Sequence, residues 1–162
     1  MNSNPIILFI LVLCFVVSFA SPCTGEDTKT ALTIKNIAFN RSKGGIERIA
    51  LFCNQSCVPE LFSLEGRNLR LVMDMKGVFL IQTKARNIST GGELVKRVRS
   101  YLDKQTTILR IVLDMEPSKY YIVRPMHDPS GNYMLTIKEN TDSPRSQEKR
   151  ITILRPDLRP GE

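Results

Sequence analysis

Residues 110–115 read "RIVLDM" and residues 48–53 read "RIALFC", so Arg, Ile and Leu return in the same order at a spacing of 62. In both copies the aliphatic side chains alternate with Arg48 or Arg110, the period of two that marks a half-buried β-strand. The flanking residues repeat the pattern. Residues 32–51 alternate in "LTIKNIAF", break at the turn-rich "NRSKGG" and alternate again in "IERIALF", which predicts two strands joined as a hairpin. Beyond "CNQSC", the runs "VPELFSL" and "LRLVMDM" predict two more strands about the turn "EGRN". Leu69, Leu71, Met73 and Met75 then share one face, and Arg70, Val72 and Asp74 the other.

Residues 94–139 reuse this order. "LVKRVRSYL" precedes the turn "DKQT", and "ILRIVLDM" places Leu109, Ile111, Leu113 and Met115 on one face. "YYIVRPM", the turn "HDPSGN" and "YMLTIKE" complete the copy. Leu94, Val98, Tyr101 and Leu102 also fit helical spacing, and "TGGE" resembles a capping box. Two glycines in what would be the first helical turn weigh against a helix, and the repeat favours a strand. The connector from 76 to 92 is polar apart from "VFLI", which reads either as an exposed sheet edge or, more usually for such a run, as core.

These patterns predict an all-β chain: a sandwich of two related four-stranded sheets produced by internal duplication, with halves at about 32–77 and 94–139. A lone meander would leave one apolar face bare, and a second copy can cover it. The polar faces of both halves are then expected to point outward, with Arg48, Arg70 and Asp74 on one side and Arg99, Arg110 and Asp114 on the other.

Residues 1–20 are set apart from the fold. An apolar run from Ile6 to Val17 leads to Ser18, Phe19 and Ala20, a small-x-small pattern expected of a signal peptide cleaved behind Ala20, although the run lacks a Lys or Arg before it. The run is shorter than the roughly 18 to 20 apolar residues of a membrane span, so a retained anchor is the weaker reading. Lipidation at Cys23 is weaker again, because Ser21 and Pro22 precede it. Cleavage leaves 142 of the 162 residues, enough for one domain, and removes no charged side chain. The net charge of +7 therefore belongs to the mature chain and favours anionic partners. Export disfavours nucleic acid. Residues 140–162, with mixed charge, Pro144, Pro156 and Pro160, are expected to form a flexible tail around the short apolar patch "ITIL".

In an oxidising compartment Cys53 and Cys57 suit a disulfide across a short turn, and equally two small buried side chains. A zinc site is poorly supported by one close Cys pair and the single His127. The residues supply no nucleophile with a base, no phosphate loop and no cofactor motif, so neither catalysis nor a cofactor is expected. Trp is absent, which leaves Tyr101, Tyr120 and Tyr121 as the aromatic groups for any sugar contact.

The run "RIALFCNQSCVPELFSLEGRNLRLVMDMKGV" resembles the core of an AMIN domain. Residues 48–51 match its Arg and alternating aliphatics, 60–64 its extended strand, and 70–77 its "RLVhDhxG" element with Asp74 at the aspartate. In the second half Val98 and Arg99 match "hR", and 110–114 match "RhVhDh". The resemblance covers residues 32–139. It departs at Phe52, where many members carry an aspartate, and at "CNQSC". It implies a periplasmic β-sandwich that attaches proteins to peptidoglycan, in the company of cell-wall amidases and secretins.

Two functions follow as expectations. One is a non-catalytic wall-binding module that uses Arg48, Arg70, Asp74, Arg99, Arg110 and Asp114, with guanidinium groups on stem-peptide carboxylates. The plain alternative for each residue is a cross-strand ion pair that keeps the surface soluble. The other function is a protein-protein adaptor in a secretin or pilus-like envelope assembly, with residues 78–83 as its edge.

Overall fold

A computed structural model of the chain describes residues 31–82, 86–128, 130–142 and 149–155. The expected signal peptide and its cleavage point lie outside the described residues. Among the described residues there is no helix; eleven strands form two sheets. In chain order they are β1 (Leu32–Arg41), β2 (Glu47–Cys53), β3 (Glu60–Leu64), β4 (Arg70–Met75), β5 (Val78–Ile81), β6 (Asn87–Ser89), β7 (Val95–Asp103), β8 (Ile108–Met115), β9 (Tyr121–His127), β10 (Tyr133–Glu139) and β11 (Ile151–Ile153). The segment with helical spacing is strand β7, so β-pairing prevails over its helical periodicity.

The sheets hold six and five strands, in the orders β11-β9-β10-β2-β1-β5 and β3-β4-β8-β7-β6, which corrects the expectation of four each. The distribution of the hairpins differs too. Neither sheet is one half of the chain: β1–β2 and β9–β10 make the middle of one sheet, β3–β4 and β7–β8 most of the other. Alternation tells which side of a strand is apolar but not which strand lies beside it, so the predicted meanders gave way to hairpins that cross between sheets.

The two central pairings have matching registers. Between β2 and β10, Leu51 faces Tyr133, Ile49 faces Leu135 and Glu47 faces Ile137. Between β8 and β4, Leu113 faces Leu71, Ile111 faces Met73 and Leu109 faces Met75. Each β8 or β10 residue lies 62 positions after its counterpart in β2 or β4. The outer strands share a further detail, a register shift between Ile34 and Asn36 in β1 and between Val95 and Arg97 in β7.

The inward faces of both sheets merge in one sandwich-like core that includes Ile49, Leu51, Leu71, Met73, Ile111, Leu113, Tyr133 and Leu135. Burying side chains of this size contributes about 1.5–3 kcal/mol each before the entropy of ordering is subtracted. Tyr121 belongs to this core and donates its hydroxyl to Glu116 O at 2.5 Å, so it is not an outward aromatic.

Among the described residues one charged side chain is inside. Glu47 occupies an inward position of β2 and is fully buried. Its carboxylate accepts from the backbone N–H groups of Glu93 (2.6 Å), Leu94 (3.1 Å) and Val95 (2.7 Å), so one side chain of the six-stranded sheet fixes the loop that enters β7 of the other. Gly92 is required at this contact, because a Cβ there would lie 2.6 Å from Val95 O and 2.7 Å from both Glu47 carboxylate oxygens.

Short strands close three sheet edges. β5 and β11 pair in parallel with β1 and β9. β5 carries the "VFLI" run, and its placement divides that run: Val78 is buried, whereas Phe79 and Leu80 are 62% and 50% exposed. The core reading therefore fails for Phe79 and Leu80. β11 continues the sheet beyond Glu139, within the segment expected to be tail, and Arg150 beside it donates to Gly66 O and Pro117 O. Tyr121 N donates to Arg150 O, so Pro125, four residues on in β9, directs its nitrogen to the same side, past the end of β11 where no ladder bond is lost.

Candidate functional site

Five of the six expected binding residues meet on the outer face of the five-stranded sheet. Pairing across β3, β4, β8 and β7 aligns Glu60, Asp74, Arg110 and Tyr101 in one row. The next row contains Phe62, Val72, Val112 and Arg99, and the third Leu64, Arg70, Asp114 and Arg97. The expected division into two triads on opposite sides is thus corrected: Arg70, Asp74, Arg99, Arg110 and Asp114 share one surface. Strands β4 and β8 lie side by side, and the outward positions of neighbouring strands fall in register.

Arg48 is the exception. It projects from β2 in the other sheet, flanked in register by Asn40 and Thr136, and donates to Ser42 Oγ. The neighbouring outward positions Ala38, Ala50, Phe52 and Met134 carry no charge, and the next cation in the Arg48 row is Arg124, beyond Thr136.

On the five-stranded sheet the charges form two different arrangements. Arg110 engages Asp74 with both arms of the guanidinium, Nε to Oδ1 at 2.8 Å and Nη2 to Oδ2 at 2.6 Å. Its carbon lies 5.9 Å above the centroid of Phe62, within reach of a cation–π contact. The hydrogen bond from Arg110 holds the Asp74 carboxyl below its ordinary value of 3.8, against a smaller opposing effect of burial. This pair is closed on itself.

Asp114 is shared. Arg99 Nη2 donates to its Oδ1 at 2.6 Å, and Arg70 Nε lies 3.5 Å from the same oxygen. The Nε groups of Arg70 and Arg99 are both screened from solvent and neither has a hydrogen-bond acceptor. Beside them a groove of about 420 Å³ is lined by Arg67, Arg97, Lys96 and Ser89, among others. The bulge at Val95/Arg97 explains this concentration of cations. A regular strand would turn Lys96 and Arg97 to opposite sides, whereas here both are exposed between buried Val95 and Val98.

Between the two arrangements Val72 is outward yet only 1% exposed. Phe62 and Val112 flank it in register, and the Arg110 guanidinium lies over the Phe62 ring. Tyr101 is the expected aromatic that does face outward here, exposed beside Arg110.

Three residues of this site escape a reading by type and spacing alone: Arg67, Lys96 and Arg97. For Lys96 and Arg97 the signal was the pair "KR" itself, where a strict alternation would place one of two adjacent cations indoors; Arg67, in the turn "EGRN", gave none.

The two candidate cysteines are joined, Cys53 Sγ to Cys57 Sγ, and tie the end of β2 to the segment before β3. His127 Nε2 lies 3.3 Å from Cys57 O. Among the described residues no three His, Cys, Asp or Glu side chains come together to hold a metal ion. What the outer face can do is bind: it offers fixed guanidinium donors and a few acceptors on a rigid sheet. No protein-family model and no curated protein sequence matches this chain.

Proposed function

We propose that the chain is an exported, non-catalytic module that binds peptidoglycan in the periplasm through the outer face of its five-stranded sheet. The observation that carries this reading is the convergence of Arg70, Asp74, Arg99, Arg110 and Asp114 on that one face. The net charge of +7 favours a polyanionic surface as partner. Guanidinium groups suit the planar carboxylates of stem peptides, and the carboxylates suit sugar hydroxyls or amines. The resemblance of residues 32–139 to AMIN domains points the same way, as does the apolar run ahead of Ala20.

A duplicated four-strand unit is part of the proposal. It is supported by the constant spacing of 62 between β2 and β8 and between β4 and β10, and by register shifts in β1 and β7 that fall within one residue of that spacing. On this reading each sheet is a four-strand core, and β5, β6 and β11 are later additions at the edges.

Co-sedimentation of the protein with purified sacculi across a salt series tests the function. Retention at about 150 mM salt, where exposed charges more than roughly 8 Å apart are largely screened, is expected. Loss of all retention as salt rises, or retention unchanged after Arg110→Ala with Asp114→Asn, would falsify it. Release of stem peptides by the pure protein would overturn the non-catalytic part.

Exposed Phe79 and Leu80 on the edge strand β5 favour a second reading, an adaptor in an envelope assembly. Binding to one defined envelope protein without sacculi, abolished by Phe79→Ser, is the result that would move it ahead.

A further inference from the structure

We infer that the groove beside Asp114 is a binding site for one compact oxyanion, a carboxylate or phosphate group, held by Arg67, Arg70, Arg97 and Arg99. The inference deepens the wall-binding reading by naming the group bound and the end of the face that binds it, and it rests on that face being a binding surface.

The charge count comes first. Four guanidinium groups border the groove around a single carboxylate, Asp114, while Lys96 is engaged by Glu116 at 3.5 Å. Asp114 carries one negative charge against these four cations, and its Oδ1 takes Arg99 Nη2 at 2.6 Å. Arg70 Nε, 3.5 Å from the same oxygen, makes no hydrogen bond with it.

The second observation is the pair of idle donors. Arg70 Nε and Arg99 Nε, one on each side of Asp114, have neither water access nor an acceptor. Shielded N–H groups are almost always paired in folded proteins, so two on adjoining arginines mark a place where an acceptor is missing. The side chains as a whole are about two-fifths exposed, 38% for Arg70 and 41% for Arg99, and both line the groove while their Nε groups stay covered.

The third is position. The bulge at Val95/Arg97 sets Arg97 on β7, and the turn before β4 brings Arg67 from the opposite rim. An oxyanion between them accepts from both rims at once, which a neutral sugar cannot do with comparable strength. Asp114 acts as a positioning residue that holds Arg99 in place. The Arg110–Asp74 pair has no such vacancy, since Asp74 occupies both of its facing donors.

The test is titration of the ¹⁵N-labelled full chain with inorganic phosphate and, separately, with N-acetylglycine, following the arginine Nε–Hε signals. The signals of Arg70 and Arg99 are expected to move together and to saturate, and Arg67→Ala with Arg97→Ala should weaken the apparent affinity about tenfold. Both substituted side chains are exposed, so an unchanged amide spectrum will certify the fold. Saturation with only one probe supports the site and identifies its source as phosphate or carboxylate. Absence of saturation with both probes, equal shifts with chloride at matched ionic strength, or full affinity in the double variant overturns the site. Sacculus retention of the same proteins separates the two claims. Retention by a protein that binds neither probe leaves the wall reading standing without this groove, and saturable probe binding by a protein that ignores sacculi leaves the groove standing without the wall.

Discussion

The outer faces of the two sheets occupy the same pattern of positions and carry different chemistry. Where the five-stranded sheet has Asp114, Val112 and Arg110 on β8, the six-stranded sheet has Phe52, Ala50 and Arg48 on β2, each 62 positions earlier. Where β4 has Arg70, Val72 and Asp74, the other sheet has Asn132 just before β10 and Met134 and Thr136 within it. Inside, the same comparison yields Ile49 against Ile111 and Leu51 against Leu113. Inward positions are held to aliphatic size by packing, since a lost methylene there costs stability directly. Outward positions answer to whatever they touch. Arg48 without a neighbouring carboxylate is a surface cation, whereas Arg110 with Asp74 is a fixed fork.

The inward position where a charge stands opposite an aliphatic counterpart is the place where the comparison should break most sharply. Glu47 stands where the other half has Leu109, so Glu47→Leu makes the two inner rows alike. It also leaves three N–H groups without an acceptor, those of Leu94 and Val95 buried and that of Glu93 partly so. At roughly 1–3 kcal/mol for each orphaned group, the variant should lose at least about 3 kcal/mol in urea unfolding. Gly92→Ala should cost a similar amount, because its Cβ collides with both the carboxylate and Val95 O. A loss under about 1 kcal/mol in either variant would mean that the loop relaxes and the clamp is dispensable.

The next effect concerns binding. Arg99→Ala should lower sacculus retention about tenfold, and Arg48→Ala less than about twofold, which corresponds to one charge-assisted hydrogen bond lost against none. Equal losses from the two variants would make both faces equivalent and erase the functional difference between the sheets.

Acid should act unequally on the two faces. Asp74 has its carboxyl held down by Arg110, so its contribution to stability is present above about pH 4 and disappears as pH falls through the lowered value. Thr136 at the matching position of β10 contributes nothing of this kind. Asp74→Asn should therefore remove part of the fall in urea midpoint between pH 6 and pH 3. A decline as steep as that of the parent chain would assign the acid sensitivity to the turn aspartates Asp103 and Asp128, whose carboxyls are lowered by hydrogen bonds within their own turns.

The smallest effect is expected at the edge. Phe79→Ser with Leu80→Ser should change stability by no more than about 0.5 kcal/mol, because both side chains are largely in solvent. A larger loss would show that they cover part of the core.

The strands and the inward residues of β2, β4, β8 and β10 were legible because period-two alternation reports directly on which side is buried. Partner choice was not legible. Nothing in "RLVMDM" or "RIVLDM" says that β4 and β8 lie side by side, and that adjacency gathers the arginines onto one face. Glu47 was legible in principle: in "ERIALFC" it shares its phase with Ile49 and Leu51, and a carboxylate in an apolar phase signals a buried acceptor. Val72 misleads in the opposite sense, since its phase is outward and its concealment comes from Phe62 and Val112 on the strands to either side.

The pairing of β2 with β10 also bears on synthesis. The first half presents β2 without its inner neighbour until residues 133–137 have been made, so a ribosome must deliver nearly the whole chain before the six-stranded sheet can close. Closure of that sheet is therefore expected late in synthesis, and, on the proposal that the chain is exported, the nascent polypeptide stays threadable for longer than one whose sheets need no such long-range pairing. A chain ended at Glu116 tests this expectation: it should be cut by protease as readily as an unfolded polypeptide, and resistance would show that the first half closes alone.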